Sequence, residues 1–213
     1  MKEQSKWKQY PLSAAVRESL AAYGSKEQGM FTLDDYDRIP DQYRVELIDG
    51  VFYDLAAPLN IHQAILQLLS TAFGRLVEDH QGSCFVYPAP FDVQLDCDDR
   101  TMVQPDLSII CDRNRLVRRG CYGAPDLIVE ILSESTAGKD RLLKLNKYKR
   151  AGVREYWIVD PDKRTVQVFH DLVNSDVSKI YTFGEKIPVG IWNNKWYIDF
   201  AKIGERIGIL YDL

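Results

Sequence analysis

The chain contains no apolar run approaching the ~18 to 20 residues that a membrane-spanning helix requires, which excludes a helical membrane protein. Its first ten residues, "MKEQSKWKQY", carry charge but no apolar stretch of the kind a secretion signal needs. Cysteine is sparse: Cys84, Cys97, Cys111 and Cys121 stand far apart and form no CxxC pair. That spacing argues against a zinc site and against a disulfide framework. The expectation is a cytoplasmic protein with buried free thiols. No internal repeat and no low-complexity segment interrupts the 213 residues, a length that suits one domain of normal core size.

Positive charge is not in excess either. The net charge is −4, so the chain as a whole is no nucleic-acid polycation. The sign is uneven, however. "RNRLVRRG" holds Arg113, Arg115, Arg118 and Arg119, and "KDRLLKLNKYKR" sets six cations, Lys147 among them, against the single acid Asp140. Local basic patches matter more for phosphate binding than the total does; the alternative is a solvated loop and a solvated helix face.

Patterning gives an element order. Residues 1–30 read as an appended arm or short helix, and 31–213 as one domain. "FTLDDYDRIP" offers Thr32 as the N-cap of a short helix stopped at Pro40. "YRVELIDGVFYDLA" has two β-rich runs around Asp49-Gly50, a hairpin signal. Ile61, Ile65, Leu68, Leu69, Ala72, Phe73 and Leu76 recur at helical spacing between Asn60 and His80. Short strands follow ("SCFVYP", "FDVQLD", "QPDLSIICD", "APDLIVE"), then a basic helix over about 138–151 ended by Gly152, then the strands "REYWIVDP" and "TVQVFHDL". The order implies an α/β (α+β) domain with a central mixed β-sheet flanked by helices, and a right-handed crossover joining the strands on either side of the basic helix.

One residue does not fit this pattern. "APDLIVEILSEST" reads as a buried strand with Glu130 in its middle. A buried carboxylate is costly unless it is paired or holds a metal, so Glu130 faces either a lysine or arginine or a cation. Asp126 shares its strand face but lies four residues away, roughly 13 Å, too far to grip the same ion. A neighbouring strand at about 4.8 Å is closer, and Asp106, opening "QPDLSIICD" after Pro105, is the candidate. Two carboxylates with open water positions suit Mg²⁺ or Mn²⁺. In the following helix Asp140, Lys144 and Tyr148 recur at i, i+4 and i+8 and lie near one face.

"QPDLSII", "APDLIVEILSEST" and "KDRLLKLNKYKRAGVREYWIVDP", with "YRVELIDGVFYDL" and "NIHQAILQLL" before them, together resemble the Uma-type restriction endonuclease family of the PD-(D/E)XK nuclease superfamily, over roughly residues 31–200. The resemblance implies a restriction-endonuclease-like core with a divalent-metal site at the sheet edge. It assigns Asp106 to the PD element and Glu130 to the acidic position of the (D/E)XK element. Leu132 stands where that element has lysine, and Lys144 matches a lysine of the next helix that takes its place. Glu46 matches an acidic position that completes the metal shell, and His62 a polar position of the family. For His62 a local hydrogen bond at the helix N-terminus is the alternative. The implied activity is Mg²⁺- or Mn²⁺-dependent hydrolysis of nucleic acid, most simply DNA. The arginine run and Lys147 would contact phosphates, and a homodimer would supply two sites for a double-strand cut. A non-catalytic nucleic-acid-binding or interaction module on the same fold is the competing expectation, motivated by the displaced lysine.

Overall fold

A computed structural model describes residues 14–21, 26–40, 42–133 and 138–212. In chain order the regular elements are α1 (Ala14–Ala21), α2 (Leu33–Tyr36), β1 (Val45–Ile48), β2 (Val51–Asp54), α3 (Asn60–Asp79), β3 (Phe85–Pro88), β4 (Asp92–Gln94), β5 (Leu107–Ile110), β6 (Leu116–Val117), β7 (Gly120–Tyr122) and β8 (Leu127–Ile131). A π-helical segment (Lys139–Lys144) then leads into α4 (Leu145–Ala151), followed by β9 (Glu155–Asp160), β10 (Thr165–Phe169), β11 (Lys179–Thr182), β12 (Lys186–Pro188), β13 (Tyr197–Asp199) and α5 (Phe200–Ile207).

Six strands form the central sheet in the order β11-β10-β9-β8-β5-β3. Only β8 and β9 run parallel, joined through α4; the other pairs are antiparallel. The mixed sheet expected from the element order is therefore present. Strand alternation sends Leu127, Val129 and Ile131 of β8 into one cluster with Ile65, Leu69 and Phe73 of α3 and Phe200 and Ile203 of α5. Ile128 and the following Leu132 enter a second cluster with Ile48, Val51, Val93 and Tyr148. One face of the sheet is thus roofed by helices. The other is covered by the β1–β2 hairpin, the small β4-β7-β6 sheet and α4. This explains why the central strands read as continuous apolar runs. Glu130 belongs to the second face.

The hairpin turns at Asp49 (φ +52°) and Gly50 (φ +80°), the left-handed pair that an Asp-Gly turn supplies. Its other side packs on Val16 and Leu20 of α1, Phe31 and Met102, so part of the N-terminal arm joins the core. Gly152 closes α4 with φ +95°, its N–H donating to the carbonyls of Tyr148 and Lys149.

Two expectations change. The basic helix is not α-helical throughout: Lys139–Lys144 form a π-helix, so spacing rules for an α-helix do not apply before Leu145. The reading of four free thiols also gives way, because Cys84 and Cys111 form a disulfide with Cα atoms 3.9 Å apart. The cause is register. β3 pairs with β5 as Phe85 with Ile110, and the next pair outward brings the two cysteines opposite each other. Cys97 and Cys121 are free.

Candidate active site

The site begins with a strand register. In the β5–β8 pair Leu107 lies opposite Val129 and Ser108 opposite Ile128. One step further sets Asp106 opposite Glu130, which is how residues 24 apart in sequence come to line one cleft at a sheet end. The ladder stops there because residue 105 is proline. The next N–H along β8, that of Ile131, donates instead to Oδ2 of Asp106 at 2.7 Å. Asp126 is occupied elsewhere, accepting the N–H of Cys111 at 2.8 Å and pairing with Arg154 at 3.0 Å. It is thus no partner of Glu130, in keeping with the four-residue separation along the strand.

β1 and the helical segment after β8 supply the rest. Glu46 shares with Ile48 the face of β1 that looks toward the sheet. Lys144, at the junction of the π-helical segment and α4, reaches between the strands. Its Nζ lies 2.8 Å from Oε1 of Glu130 and 2.8 Å from Oε1 of Glu46. The hydroxyl of Tyr148, one turn on, donates to the same Glu130 oxygen at 2.5 Å, and the N–H of Gln104 donates to Oε1 of Glu46 at 3.1 Å. The network is dry: Glu46 is 0% exposed, and Glu130 and Lys144 are each 3% exposed. Burial, reinforced by the negative charge of Glu130 and Glu46, holds the Tyr148 phenol well above its usual pKa, so it stays a neutral donor.

His62, in the first turn of α3, makes no local bond. Its Nε2 lies 3.2 Å from Oδ2 of Asp106, while Nδ1 is buried with no partner. Asp106, His62, Glu130, Lys144, Gln104 and Arg44 line a common cleft of about 290 Å³, walled on its apolar side by residues such as Leu55, Leu59 and Leu66.

The basic residues are placed differently. None of the four arginines of the 113–119 run lines this cleft. Arg113 lies over the ring of Phe85 at 5.3 Å, Arg115 pairs with Asp112, and Arg119 bonds Asp37 and Asp92. Arg118 is exposed. Lys147 is not on a solvated helix face: it is buried between Asp49, at 2.5 Å, and Asp96. Burial alone would lower its pKa, but the two carboxylates outweigh burial and raise it. These contacts give Lys147 a structural job in place of the expected phosphate contact.

Two cleft residues, Arg44 and Gln104, were not singled out by sequence. The available signal was position: Arg44 precedes Glu46 by two residues and shares its strand face, while Gln104 adjoins the Pro105-Asp106 element.

Among the described residues no group of three or more His, Cys, Asp or Glu side chains is gathered as a metal site. The donor chemistry still fits a hard divalent ion. Asp106 and Glu130 present carboxylate oxygens to a cleft with room for water ligands, and Glu46 and Glu130 share the ammonium of Lys144 behind it.

The family model described as "Uma2: Putative restriction endonuclease" matches residues 33–189. The chain belongs to this family. Among solved structures, the crystal structure of a "putative nuclease belonging to DUF820" from Anabaena variabilis ATCC 29413 superposes with a TM-score of 0.68 at 18% identity, covering 82% of this chain and 98% of that one. At that identity the likeness establishes the shared fold. No curated protein matches the sequence. The Uma2 match spans Glu46, His62, Asp106, Glu130, Lys144 and Tyr148, so every residue of the network lies inside the family region.

Proposed function

We propose that this Uma2-family chain is a metal-dependent endonuclease that hydrolyses phosphodiester bonds, with DNA as substrate. The observation that carries the reading is the placement of Asp106 opposite Glu130 at the cleft, with the Lys144 ammonium 2.8 Å from Glu130. The printed descriptions of the family and of the Anabaena variabilis structure support the same class of chemistry.

In this reading Asp106 and Glu130 hold Mg²⁺ or Mn²⁺, with Glu46 completing the acidic set from β1. Such an ion, when bound, lowers the pKa of a water and offsets charge on the scissile phosphate. The chain's own groups do the rest. Ile131 N–H and His62 fix the Asp106 carboxylate, as outer partners orient metal-binding groups. Lys144, anchored by Glu46, places a positive charge beside Glu130, where it stabilises negative charge developing on the phosphoryl oxygens. Tyr148, kept neutral, donates a hydrogen bond and holds the glutamate rotamer. Apolar walls lower the local dielectric and strengthen these interactions. Action in the cytoplasm, as a homodimer, completes the proposal.

The test is nicking of supercoiled plasmid in Mg²⁺ or Mn²⁺ by wild type, Asp106→Asn and Glu130→Gln. Loss in both variants is expected, and cleavage that persists in Glu130→Gln sinks the mechanism. A second reading, a binding-only module, is favoured by one observation: Lys144 and Tyr148 both converge on Oε1 of Glu130. Calorimetry separates the two, since a cleft without affinity for Mg²⁺ or Mn²⁺ supports the non-enzyme.

A further inference from the structure

We infer that Arg44 is the phosphate-binding residue of this cleft, taking a phosphodiester oxygen of the substrate. The identity of the substrate rests on the nuclease reading; the anion site itself rests on geometry. Arg44 stands two residues before Glu46 and on the same face of the chain entering β1, so Glu46 lies in the floor while Arg44 lines the cleft together with Asp106 and Glu130.

The cations near the cleft differ in what already holds them. Lys144 is shared between two glutamates. Lys147 is held by Asp49 and Asp96, and the arginines of the 113–119 run lie outside the cleft. Arg44 alone among the described cleft residues carries a positive charge with no carboxylate partner. Its guanidinium makes one hydrogen bond, from Nη2 to the neutral Oε1 of Gln104 at 3.3 Å. Its Nε is buried without any partner. A buried donor of a charged group left unpaired is costly, and an incoming anion removes that cost.

The guanidinium is also held from behind. Nε2 of Gln104 donates to the Tyr36 hydroxyl at 3.2 Å and to Oδ1 of Asp92 at 3.0 Å. Its backbone N–H is fixed by Glu46. The amide therefore cannot turn to present its nitrogen, and its oxygen stays toward Arg44. A planar, permanently charged fork pre-positioned in this way matches the tetrahedral oxygens of a phosphate better than an ammonium does.

Two probes test the site in the absence of divalent metal, so that no cleavage intervenes: a short fluorescent DNA duplex and inorganic phosphate. Arg44→Gln should weaken duplex binding about tenfold to a hundredfold, and Arg44→Lys, which keeps the charge, should weaken it less. On wild type, the Arg44 Nε–H resonance in a ¹H–¹⁵N spectrum, assigned by its loss in Arg44→Lys, should move when phosphate is added. A shift with phosphate but no duplex binding would identify a free-anion site and overturn the phosphodiester assignment. Unchanged duplex affinity in folded Arg44→Gln, with a static Nε–H signal, overturns the inference even if plasmid is nicked. Weakened binding in the variant without any nicking by wild type keeps Arg44 and removes the nuclease reading. Binding of neither probe by wild type overturns both.

Discussion

Lys144 and Glu130 are joined by a 2.8 Å ion pair across 14 residues of chain, and Glu46 shares the same ammonium at the same distance. Removing one partner of such a buried network leaves uncompensated charge. Lys144→Met should therefore cost about 3–5 kcal/mol of stability. In a Glu46→Gln/Glu130→Gln background the same substitution should cost less than half as much, because no carboxylate is stranded. Urea denaturation of the four proteins measures the difference. Equal costs in the two backgrounds would mean that the network carries no net electrostatic coupling.

His62 reaches Asp106 from another element, 44 residues away. If Asp106 binds a divalent ion, His62→Ala should lower Mn²⁺ affinity about tenfold to a hundredfold, the usual effect of losing an orienting partner, with little change in thermal stability. Isothermal titration with Mn²⁺ reads the first quantity and a melting curve the second. Undiminished affinity would show that Asp106 needs no help from the ring.

Legibility followed the range of each interaction. The strand face of Glu130 and the need for a partner from another element are local consequences of alternation; β5 pairs with β8 and so sets Asp106 opposite Glu130, while the groups that touch the carboxylate are Lys144 and Tyr148. Lys144 and Glu46 came from the family resemblance, and Lys144 gives Glu130 the lysine partner that was one of the two alternatives for that residue. The pairing of Lys147 with Asp49 and Asp96 was not legible, because a run of cations looks the same whether solvated or facing carboxylates from distant turns. The π-helical segment was invisible, since it breaks the spacing by which helices are read. Arg44 was passed over beside denser arginine runs, although its lack of an acidic partner is what distinguishes it.

Cys84 and Cys111 close a loop across the edge pair β3–β5. Thiol titration of the denatured protein without reductant should find only Cys97 and Cys121. For a sequence separation of 27, chain entropy puts the stabilisation at about 3–4 kcal/mol. Mild reduction should lower the melting temperature, and Cys84→Ser should reproduce that loss and abolish any further effect of reductant. Four titratable thiols would remove the bridge from the account.

Alkaline conditions should unfold the protein earlier than its acidic composition suggests. Lys147 has its pKa raised above the ordinary 10.5 because Asp49 and Asp96 outweigh burial. Its stabilisation is complete below that ordinary value and is lost as pH rises through the folded value. Tyr148 is raised well above 10.0 by burial and by the Glu130 and Glu46 charges. Its phenol ionises first in the unfolded chain, so raising the pH past about 10 again favours unfolding. Each group contributes a slope of up to about 1.4 kcal/mol per pH unit across its window. Urea midpoints should be flat near neutrality and fall as the pH rises past about 10. In Lys147→Met/Tyr148→Phe the protein starts less stable but the fall should be shallower. A double variant that declines as steeply as wild type would assign the alkaline loss to other groups.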